Sequence, residues 1–152
     1  SAITGMALCS FLEEIFSERL EKESVEMVFT SEFLNFKIQA FSSTIYPAIV
    51  NLVDNAIYWA SKSSSLQKKV KLHADNENLF IADTGPGVPL IDRENIFEFG
   101  FSRKIGGRGM GLYIARQTLE RDGFKLQLEE FDPEIGAVFK ISQIEVEGEI
   151  IK

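Results

Sequence analysis

The sequence predicts an α/β (α+β) fold, in which helices pack against a β-sheet. One observation is the spacing of apolar residues in 44–62, where they recur every three or four positions, as on a helix with one buried face. A second is the set of short β-prone runs that lie between such helices. The 152 residues suffice for a single domain over 1–152, and 45% hydrophobic with 26% charged residues is typical of a globular protein.

The N-terminal half is predicted to contain two helices and two strands. Apolar residues at helical spacing among acidic ones predict the first helix, and two β-prone runs separated by polar residues predict the strands. These elements are a helix over 6–22, strands over 25–30 and 36–41, and the central helix over 44–62. Ser42 or Ser43 is predicted to cap the central helix, because a hydroxyl there can accept hydrogen bonds from the first turn.

The C-terminal half is predicted to begin with a β-hairpin and to end with a helix and two strands. Segment 84–111 is rich in loops and carries seven of the eleven glycines, and a loop of this length inside a domain is usually functional. The predicted elements are strands 69–74 and 79–82, at most one short helix near 92–97, a helix over 112–121, and strands 124–129 and 137–144 joined through Asp132 and Pro133. The tail from Glu145 is left unassigned.

Composition excludes several kinds of function. A net charge of −7 argues against nucleic-acid binding, which needs a broad positive field, although the local cluster Arg103, Lys104 and Arg108 is able to hold a phosphate. Cys9 is the only cysteine, which excludes an internal disulfide and fits a reducing compartment, so we expect a cytoplasmic location. No apolar run approaches about 18 residues, so we expect no membrane contact. Because the chain starts at Ser1 without a methionine, we expect it to be part of a larger protein.

A polar stripe runs along one edge of the predicted central helix. Asn51, Asn55 and Tyr58 are four and three residues apart, which aligns them on one edge with Asp54 beside them. Asparagine is a mediocre helix former, so two of them one turn apart in an apolar helix need an explanation. Their amide oxygens suit Mg²⁺ when phosphate and water complete its octahedron. The alternative, an ordinary solvated helix edge, is not excluded by the stripe alone.

Two glycine-containing loops add to this stripe. The run 83–87 (DTGPG) places a carboxylate at a strand end before two glycines, so a flat ligand can approach the backbone while the carboxylate accepts a hydrogen bond from an amine. The run 106–112 (GGRGMGL) leads into a helix, whose exposed N–H groups and positive dipole end favour phosphate. Taken alone, the first can be an ordinary turn and the second a flexible linker. Spacing excludes a Walker loop and a dinucleotide fingerprint.

Together, four motifs in this order resemble those of the GHKL ATPases, a superfamily of sensor histidine kinases, gyrase-class topoisomerases, ninety-kilodalton heat-shock chaperones and MutL repair proteins. The motifs are NLVDNA at 51–56 as the N-box, DTGPG at 83–87 as the first glycine box, IFEF at 96–99 with FSRK at 101–104 as the phenylalanine box, and GRGMGL at 107–112 as the second glycine box. The resemblance implies the Bergerat fold, an α/β (α+β) two-layer sandwich with a mixed sheet and helices on one face. It also implies that ATP is held between the central helix and a mobile lid at about 90–106.

The resemblance also implies roles at the metal and base ends of a nucleotide site. Asn55 is expected to ligate Mg²⁺, and Asn51 is expected to assist it or to contact phosphate. Asp83 is expected to accept a hydrogen bond from the adenine amine. Gly85 and Gly87 are expected to let the base lie close to the backbone.

At the phosphate end, the resemblance implies that Lys104 and the N–H groups of three glycines hold the β- and γ-phosphates. The three glycines are Gly107, Gly109 and Gly111. Asn51 and Lys104 are therefore the expected catalytic residues, acting by positioning and charge neutralisation. The other expected nucleotide contacts are Tyr58, Ser102, Arg108, Met110 and Leu112.

Asn51 favours the kinase branch of this superfamily. The ATP-hydrolysing branches carry a glutamate at this place, and an amide cannot act as a general base, so fast hydrolysis is disfavoured. We therefore expect an ATP·Mg²⁺-binding catalytic domain of the sensor histidine kinase type, which phosphorylates a histidine on a separate dimerisation domain or partner in signal transduction. A response regulator and a homodimer through the parent protein are further expected partners. The alternatives are a nucleotide-gated dimerisation module with slow hydrolysis and, against the intact motifs, a degenerate interaction domain.

Some residues depart from the family pattern or fall outside it. Tyr58 replaces a basic residue common in kinases, and Ala137 with Val138 replaces a small hydroxyl residue, so we expect modest nucleotide affinity. His73, the only histidine, is predicted to be an exposed strand residue and not a phosphoacceptor. Trp59 either lines the nucleotide mouth or covers the core.

Overall fold

The computed structural model describes residues 2–104, 106–129 and 136–143. The predicted junction at Asp132 and Pro133, the predicted end of the last strand at Ile144 and the tail from Glu145 lie outside the described residues. Within the described ranges, no helix is long and apolar enough to cross a membrane.

The described part of the chain contains four α-helices and seven strands. The helices are α1 (Gly5–Glu23), α2 (Ser31–Leu34), α3 (Ser42–Ser61) and α4 (Gly111–Arg121). The strands are β1 (Ala2–Thr4), β2 (Glu26–Phe29), β3 (Lys37–Gln39), β4 (Lys69–Ala74), β5 (Asn78–Asp83), β6 (Phe124–Leu128) and β7 (Val138–Gln143). One turn of 3-10 helix, Leu90–Asp92, follows β5.

The main sheet has five strands in the order β2-β4-β5-β7-β6. β2 runs parallel to β4 and the other neighbours are antiparallel, so the sheet is mixed, as predicted. β1 and β3 form a separate antiparallel pair. In β4, Val70, Leu72 and Ala74 are buried whereas Lys71 is exposed, because the helices cover one face of the sheet. The predicted two-layer fold is confirmed.

α3 is the central helix of the core. It contacts α4, β4 and β5, and its apolar residues at helical spacing are fully buried, as predicted. The largest of them are Ile45, Ile49, Leu52, Val53 and Ile57. Burial of five such side chains stabilises the fold by roughly 10 kcal/mol before conformational entropy is subtracted. α3 therefore has one orientation relative to the sheet.

The start of α3 differs from the sequence prediction. The helix begins at Ser42, and its N-cap is Phe41 with no side-chain hydrogen bond, so the predicted capping by Ser42 or Ser43 is wrong. The N–H of Phe41 instead donates to Oδ2 of Asp122 at 3.1 Å, which ties the start of α3 to the end of α4. The local hydroxyl pattern is misleading here because the observed partner is distant in sequence.

Two short elements near the N-terminus, β1 and α2, are not predicted from the sequence. β1 pairs Ile3 with Ile38 of β3, and both are buried, but three residues are too few to show a period. α2 occupies the polar segment that the sequence predicts only as a separator of two strands. There, Oγ1 of Thr30 accepts the N–H of Phe33 at 3.1 Å, and the fully buried Phe33 side chain anchors the turn.

The segment between β5 and α4 contains, in its described residues, one short helical turn, within the expected limit of at most one short helix. This 3-10 turn, Leu90–Asp92, lies slightly before the predicted position near 92–97, where turns follow it. Asp92 and Ile96 are nevertheless buried in this segment. Side-chain burial therefore holds this segment in place together with turn hydrogen bonds, such as the one from the N–H of Asn95 to the carbonyl oxygen of Asp92 at 2.9 Å.

Gly5, the first residue of α1, provides a test of packing at the N-terminus. A Cβ built at Gly5 lies 1.6 Å from the carbonyl oxygen of Phe33, a backbone atom that cannot swing aside. Gly5→Ala is therefore expected to lower the free energy of unfolding by about 3 kcal/mol or more, as measured by urea unfolding followed by circular dichroism. Ser10→Ala, on the exposed side of the same helix, is the matched control and should cost less than about 0.5 kcal/mol. Equal midpoints for the two variants would contradict the packing argument.

Candidate functional site

A cavity of about 1060 Å³ lies between α3, the end of β5, the 3-10 turn and the glycine-rich loop before α4. Its size is at the upper end of the range for small-molecule sites. Its wall is formed by Asn51, Asp54, Asn55 and Trp59 of α3, by Asp83, residues 86–92, Ile96, residues 101–104 and 107–112, Ala137 and Phe139. The wall therefore combines apolar side chains with a few amide, carboxylate and cationic groups.

The amide edge of α3 faces this cavity. Asn51 and Asn55 are half-buried and lie in the wall, because the opposite face of the helix is committed to the core. A Cβ built at Gly111 lies 3.8 Å from Oδ1 of Asn51, so this amide faces the first residue of α4.

Among the described residues, no group of three or more His, Cys, Asp or Glu side chains could hold a metal ion. A cation at this edge would therefore use amide oxygens, phosphate and water as ligands.

Asp83 lies at the end of β5 and is 2% exposed. Its Oδ1 accepts the N–H of Gly85 at 2.8 Å, whereas its Oδ2 is buried without a hydrogen-bond partner in the described part of the chain. Burial raises the pKa of Asp83 to about 7, although the N–H groups of Gly85 and Ala137 act in the opposite direction. An unpaired buried carboxylate oxygen is costly, so Oδ2 is a ready acceptor for a donor placed in the cavity.

Three glycines shape the backbone around Asp83. A Cβ built at Gly85 lies 2.6 Å from the carbonyl oxygen of Trp59, so Gly85 allows the turn to pack on α3 and is not itself part of the wall. Gly87 lies in the wall and has a φ of 81°. A Cβ at Gly136, where φ is 85°, lies 2.4 Å from the carbonyl oxygen of Asp83. Backbone-to-backbone contacts on both sides therefore hold Asp83 in place.

The glycine-rich loop folds back on the segment that precedes it. The N–H of Gly100 donates to the carbonyl oxygen of Gly109 at 2.9 Å, and a Cβ at Gly109 lies 2.3 Å from the carbonyl carbon of Gly100. A Cβ at Gly107 lies 2.3 Å from Oγ of Ser102, which accepts the N–H of Lys104 at 3.1 Å. These two glycines are required by close packing within the loop, and both residues lie in the cavity wall. The N–H of Gly107 donates to the carbonyl oxygen of Lys104 at 3.0 Å.

An ion pair between a buried carboxylate and an exposed guanidinium ties the two ends of this loop segment together. Asp92 is 3% exposed, and its carboxylate accepts hydrogen bonds from Nε and Nη2 of Arg103 at 3.1 and 2.8 Å. The hydrogen bonds from Arg103 lower the pKa of Asp92. Of the basic cluster that the sequence offers as a phosphate site, Arg103 is thus already engaged by a carboxylate. Sequence reasoning missed this pair, because nothing in the local pattern links the two residues.

Lys104 lies against the polar edge of α3. Its Nζ is 3.9 Å from Oδ2 of Asp54 and 5.2 Å from the centre of the Tyr58 ring. The ammonium of Lys62 lies over the same ring at 5.1 Å. Tyr58 thus stands where a basic residue is common in the family, but it holds two cations there. Burial lowers the pKa of Lys104, and the Asp54 carboxylate acts in the opposite direction.

Most of the residues predicted from the motifs meet at this cavity. Of the fourteen predicted nucleotide contacts, only Tyr58 and Gly85 are not in the wall, and both contact wall residues instead. Trp59, which was expected either to line the nucleotide mouth or to cover the core, lines the cavity. His73 is not part of the described wall; its Nδ1 lies 3.0 Å from Oγ1 of Thr30.

The chain belongs to the family described as histidine kinase-, DNA gyrase B-, and HSP90-like ATPases, whose model matches residues 42–147. Within this family, the chain has the fold of the catalytic ATP-binding domains of sensor histidine kinases. The resemblance noted from the four motifs is therefore confirmed.

The relatives found by comparison are histidine kinases. The chain is 27% identical over 121 residues to the signal transduction histidine-protein kinase/phosphatase MprB of Mycobacterium tuberculosis, covering 76% of this chain and 24% of MprB. Among solved structures, it is similar to the mycobacterial sensor histidine kinase MprB, with TM-score 0.71, 24% identity and coverage of 94% and 95% of the two chains. It is also similar to the nucleotide-free catalytic domain of histidine kinase ThkA, with TM-score 0.74, 23% identity and coverage of 95% and 98%. The chain spans about a quarter of the length of the curated relatives it matches.

The burial of Asp83 predicts a pH dependence of stability. Its pKa is about 7 in the folded protein and about 3.9 in an unfolded chain. The folded state therefore binds more protons between these values, and the wild type loses stability as pH rises from about 4 to 7. Asp83→Asn removes this loss, so its unfolding free energy relative to wild type should increase by roughly 2–4 kcal/mol between pH 4 and 8. Urea unfolding at several pH values measures this, and parallel profiles would contradict an uncompensated buried carboxyl.

Proposed function

We propose that this chain is the ATP- and Mg²⁺-binding catalytic domain of a sensor histidine kinase-like protein, which transfers the γ-phosphoryl group of ATP to a histidine on a separate domain or partner. The observation that carries the proposal is a single cavity lined by the unpaired Oδ2 of Asp83 and by the amides of Asn51 and Asn55. Asn51 faces Gly111, whereas Trp59, eight residues further along α3, faces the Asp83 turn. That separation is about 12 Å along the helix, which suits a base at one end and phosphates at the other.

At the base end, Asp83 is proposed to accept a hydrogen bond from the exocyclic amine of adenine through Oδ2. Such a bond favours the ionised carboxylate, so it would lower the pKa of Asp83 from about 7. Gly87 would let the base lie close to the backbone, and Trp59 with Phe139 would cover its apolar surface. Gly85 would act indirectly, by allowing the turn to pack on α3.

At the phosphate end, Asn55 is proposed to ligate Mg²⁺ through its amide oxygen, with Asn51 assisting it. When bound, Mg²⁺ supplies neutralisation of charge on the phosphate oxygens. Lys104 and the N–H groups of the glycine-rich loop and of the start of α4 would hold the β- and γ-phosphates, aided by the positive end of the helix dipole. The glycines concerned are Gly107, Gly109 and Gly111. The remaining proposed contacts are Ser102, Arg108, Met110 and Leu112, with Tyr58 as a platform for Lys104.

Residues 90–106 are proposed as the lid over this site. The Asp92–Arg103 ion pair joins the beginning of this segment to its end, so the segment would move as a unit. The exposed Leu90 and Ile91 lie in the cavity wall, where a bound nucleotide would cover them. The chain is proposed to be one ATP-binding domain of a larger, cytoplasmic signalling protein.

Phosphoryl transfer, not fast hydrolysis, is the proposed chemistry. Asn51 stands where a general base would have to be, and an amide cannot take a proton from water. The chain would then act by positioning the phosphates for a histidine supplied from outside it. We propose as partners a histidine-bearing dimerisation domain, a response regulator and a second copy of the parent protein. The kinase relatives support this proposal.

Substitution of the proposed metal and base ligands should weaken nucleotide binding. Asn55→Ala and Asp83→Asn are each expected to raise the dissociation constant of ATP in the presence of Mg²⁺ by about tenfold or more, or at least 1.4 kcal/mol. In Asn55→Ala the dependence on Mg²⁺ should also be lost. Isothermal titration with and without Mg²⁺ measures both effects. Asn76→Ala, in the exposed turn between β4 and β5, is the matched control, and unchanged affinity in both site variants would overturn the assignment.

The transfer reaction is tested on the full-length parent protein with γ-labelled ATP. We expect an acid-labile, base-stable label, as formed on histidine, and no label in the Asn55→Ala variant. Phosphate release that depends on dimerisation, without any phosphohistidine, would contradict the kinase proposal. That result would favour a nucleotide-gated dimerisation module.

A further inference from the structure

An arginine from outside the four motifs reaches the amide edge of α3. Arg19, on α1, hydrogen-bonds the carboxylate of Asp54 through Nη1. Its Nη2 donates to the backbone carbonyl oxygen of Asp54 at 3.4 Å. Asp54 lies in the cavity wall, next in sequence to Asn55. The guanidinium of Arg19 therefore donates two hydrogen bonds to one residue of the wall, although Arg19 itself does not line the cavity.

Asp54 also faces a second cation from the other side. Nζ of Lys104 lies 3.9 Å from Oδ2 of Asp54, which allows electrostatic attraction but is longer than a hydrogen bond. The same ammonium lies over the Tyr58 ring at 5.2 Å. One carboxylate is thus shared by two cations, and the closer and directional contact is that of Arg19.

A free carboxylate at Asp54 would work against binding of a polyphosphate. Like charges a few ångströms apart repel strongly where the effective dielectric constant is well below that of water. The side chains of Arg19 and Asp54 are 30% and 49% exposed, so solvent screens this charge only in part. An unpaired Asp54 would also draw the ammonium of Lys104 towards itself and away from the phosphates.

We propose that Arg19 is a positioning residue for phosphate binding, which neutralises Asp54 and thereby leaves Lys104 available to the phosphates. This inference rests on the proposed function, because it concerns the same nucleotide site. Arg19 acts through Asp54 and Lys104 and not by contact with the nucleotide. It follows that the docking of α1 on α3 controls affinity for the phosphates but not for the base.

The test compares MgATP with adenosine, which has no phosphates, on the purified chain. Arg19→Gln is expected to raise the dissociation constant of MgATP by about tenfold, equivalent to about 1.4 kcal/mol, as measured by isothermal titration. The dissociation constant of adenosine, measured by NMR titration, is expected to stay within about twofold of wild type. Adding Asp54→Asn to Arg19→Gln should return the MgATP affinity to within about threefold of wild type, since the charge that needs neutralising is gone.

Arg121→Gln is the matched control, because it removes the same net charge from the exposed end of α4. It should leave both affinities unchanged. Equal weakening of adenosine and MgATP by Arg19→Gln would mean that the pair only supports the fold, and would overturn the inference. A double variant as weak as Arg19→Gln would overturn it too, since the effect would not pass through Asp54. Lack of MgATP binding by the wild type would refute the proposed function and this inference with it, whereas the other failures leave wild-type binding intact.

Discussion

The burial of the apolar face of α3 against the sheet is the constraint on which the candidate site depends. Because Ile49, Leu52 and Val53 are fully buried, the helix cannot turn about its axis without exposing them. A shift by one residue, about 100° of rotation, would carry Asn51 and Asn55 away from α4 and out of the cavity wall. Hydrophobic packing therefore determines where these amides lie, although the amides themselves contribute little to the core.

The carboxylates of the cavity wall divide into two kinds. Asp54 is paired with Arg19 of α1, and Asp92 is paired with Arg103 at the other end of its own loop segment, so both charges are compensated within the described structure. Asp83 has no such partner among the residues that the structure describes, and burial instead raises its pKa. In a chain with a net charge of −7, the wall of this cavity therefore carries less negative charge than its three aspartates would suggest.

Long periodic elements were predictable from the sequence, and contacts between distant segments were not. The helix α3, the hairpin of β4 and β5 and the helix α4 each show a clear period, and motif spacing identified most of the cavity wall. The predicted capping of α3 by Ser42 or Ser43 was wrong. The helix starts one residue earlier than a serine cap requires, and the N–H of its N-cap, Phe41, is bound by Asp122, which is remote along the chain. The pairing of Arg19 with Asp54 was not predicted, because these two residues are also far apart in sequence. Gly85 packs directly against the backbone of Trp59, where there is no room for a Cβ. The sequence alone could not indicate this contact.

The parallel pairing of β2 with β4 bears on the order in which the molecule assembles. The connection between these strands runs through α2, β3 and the whole of α3, so their pairing closes a long loop. The hairpin of β4 and β5 is local and can form within microseconds, whereas the long closure is slow because of its entropy. Asn51 and Asn55 lie inside that loop. A chain in which only this hairpin has formed would therefore lack the cavity, because the amide edge of α3 is not yet packed against the sheet.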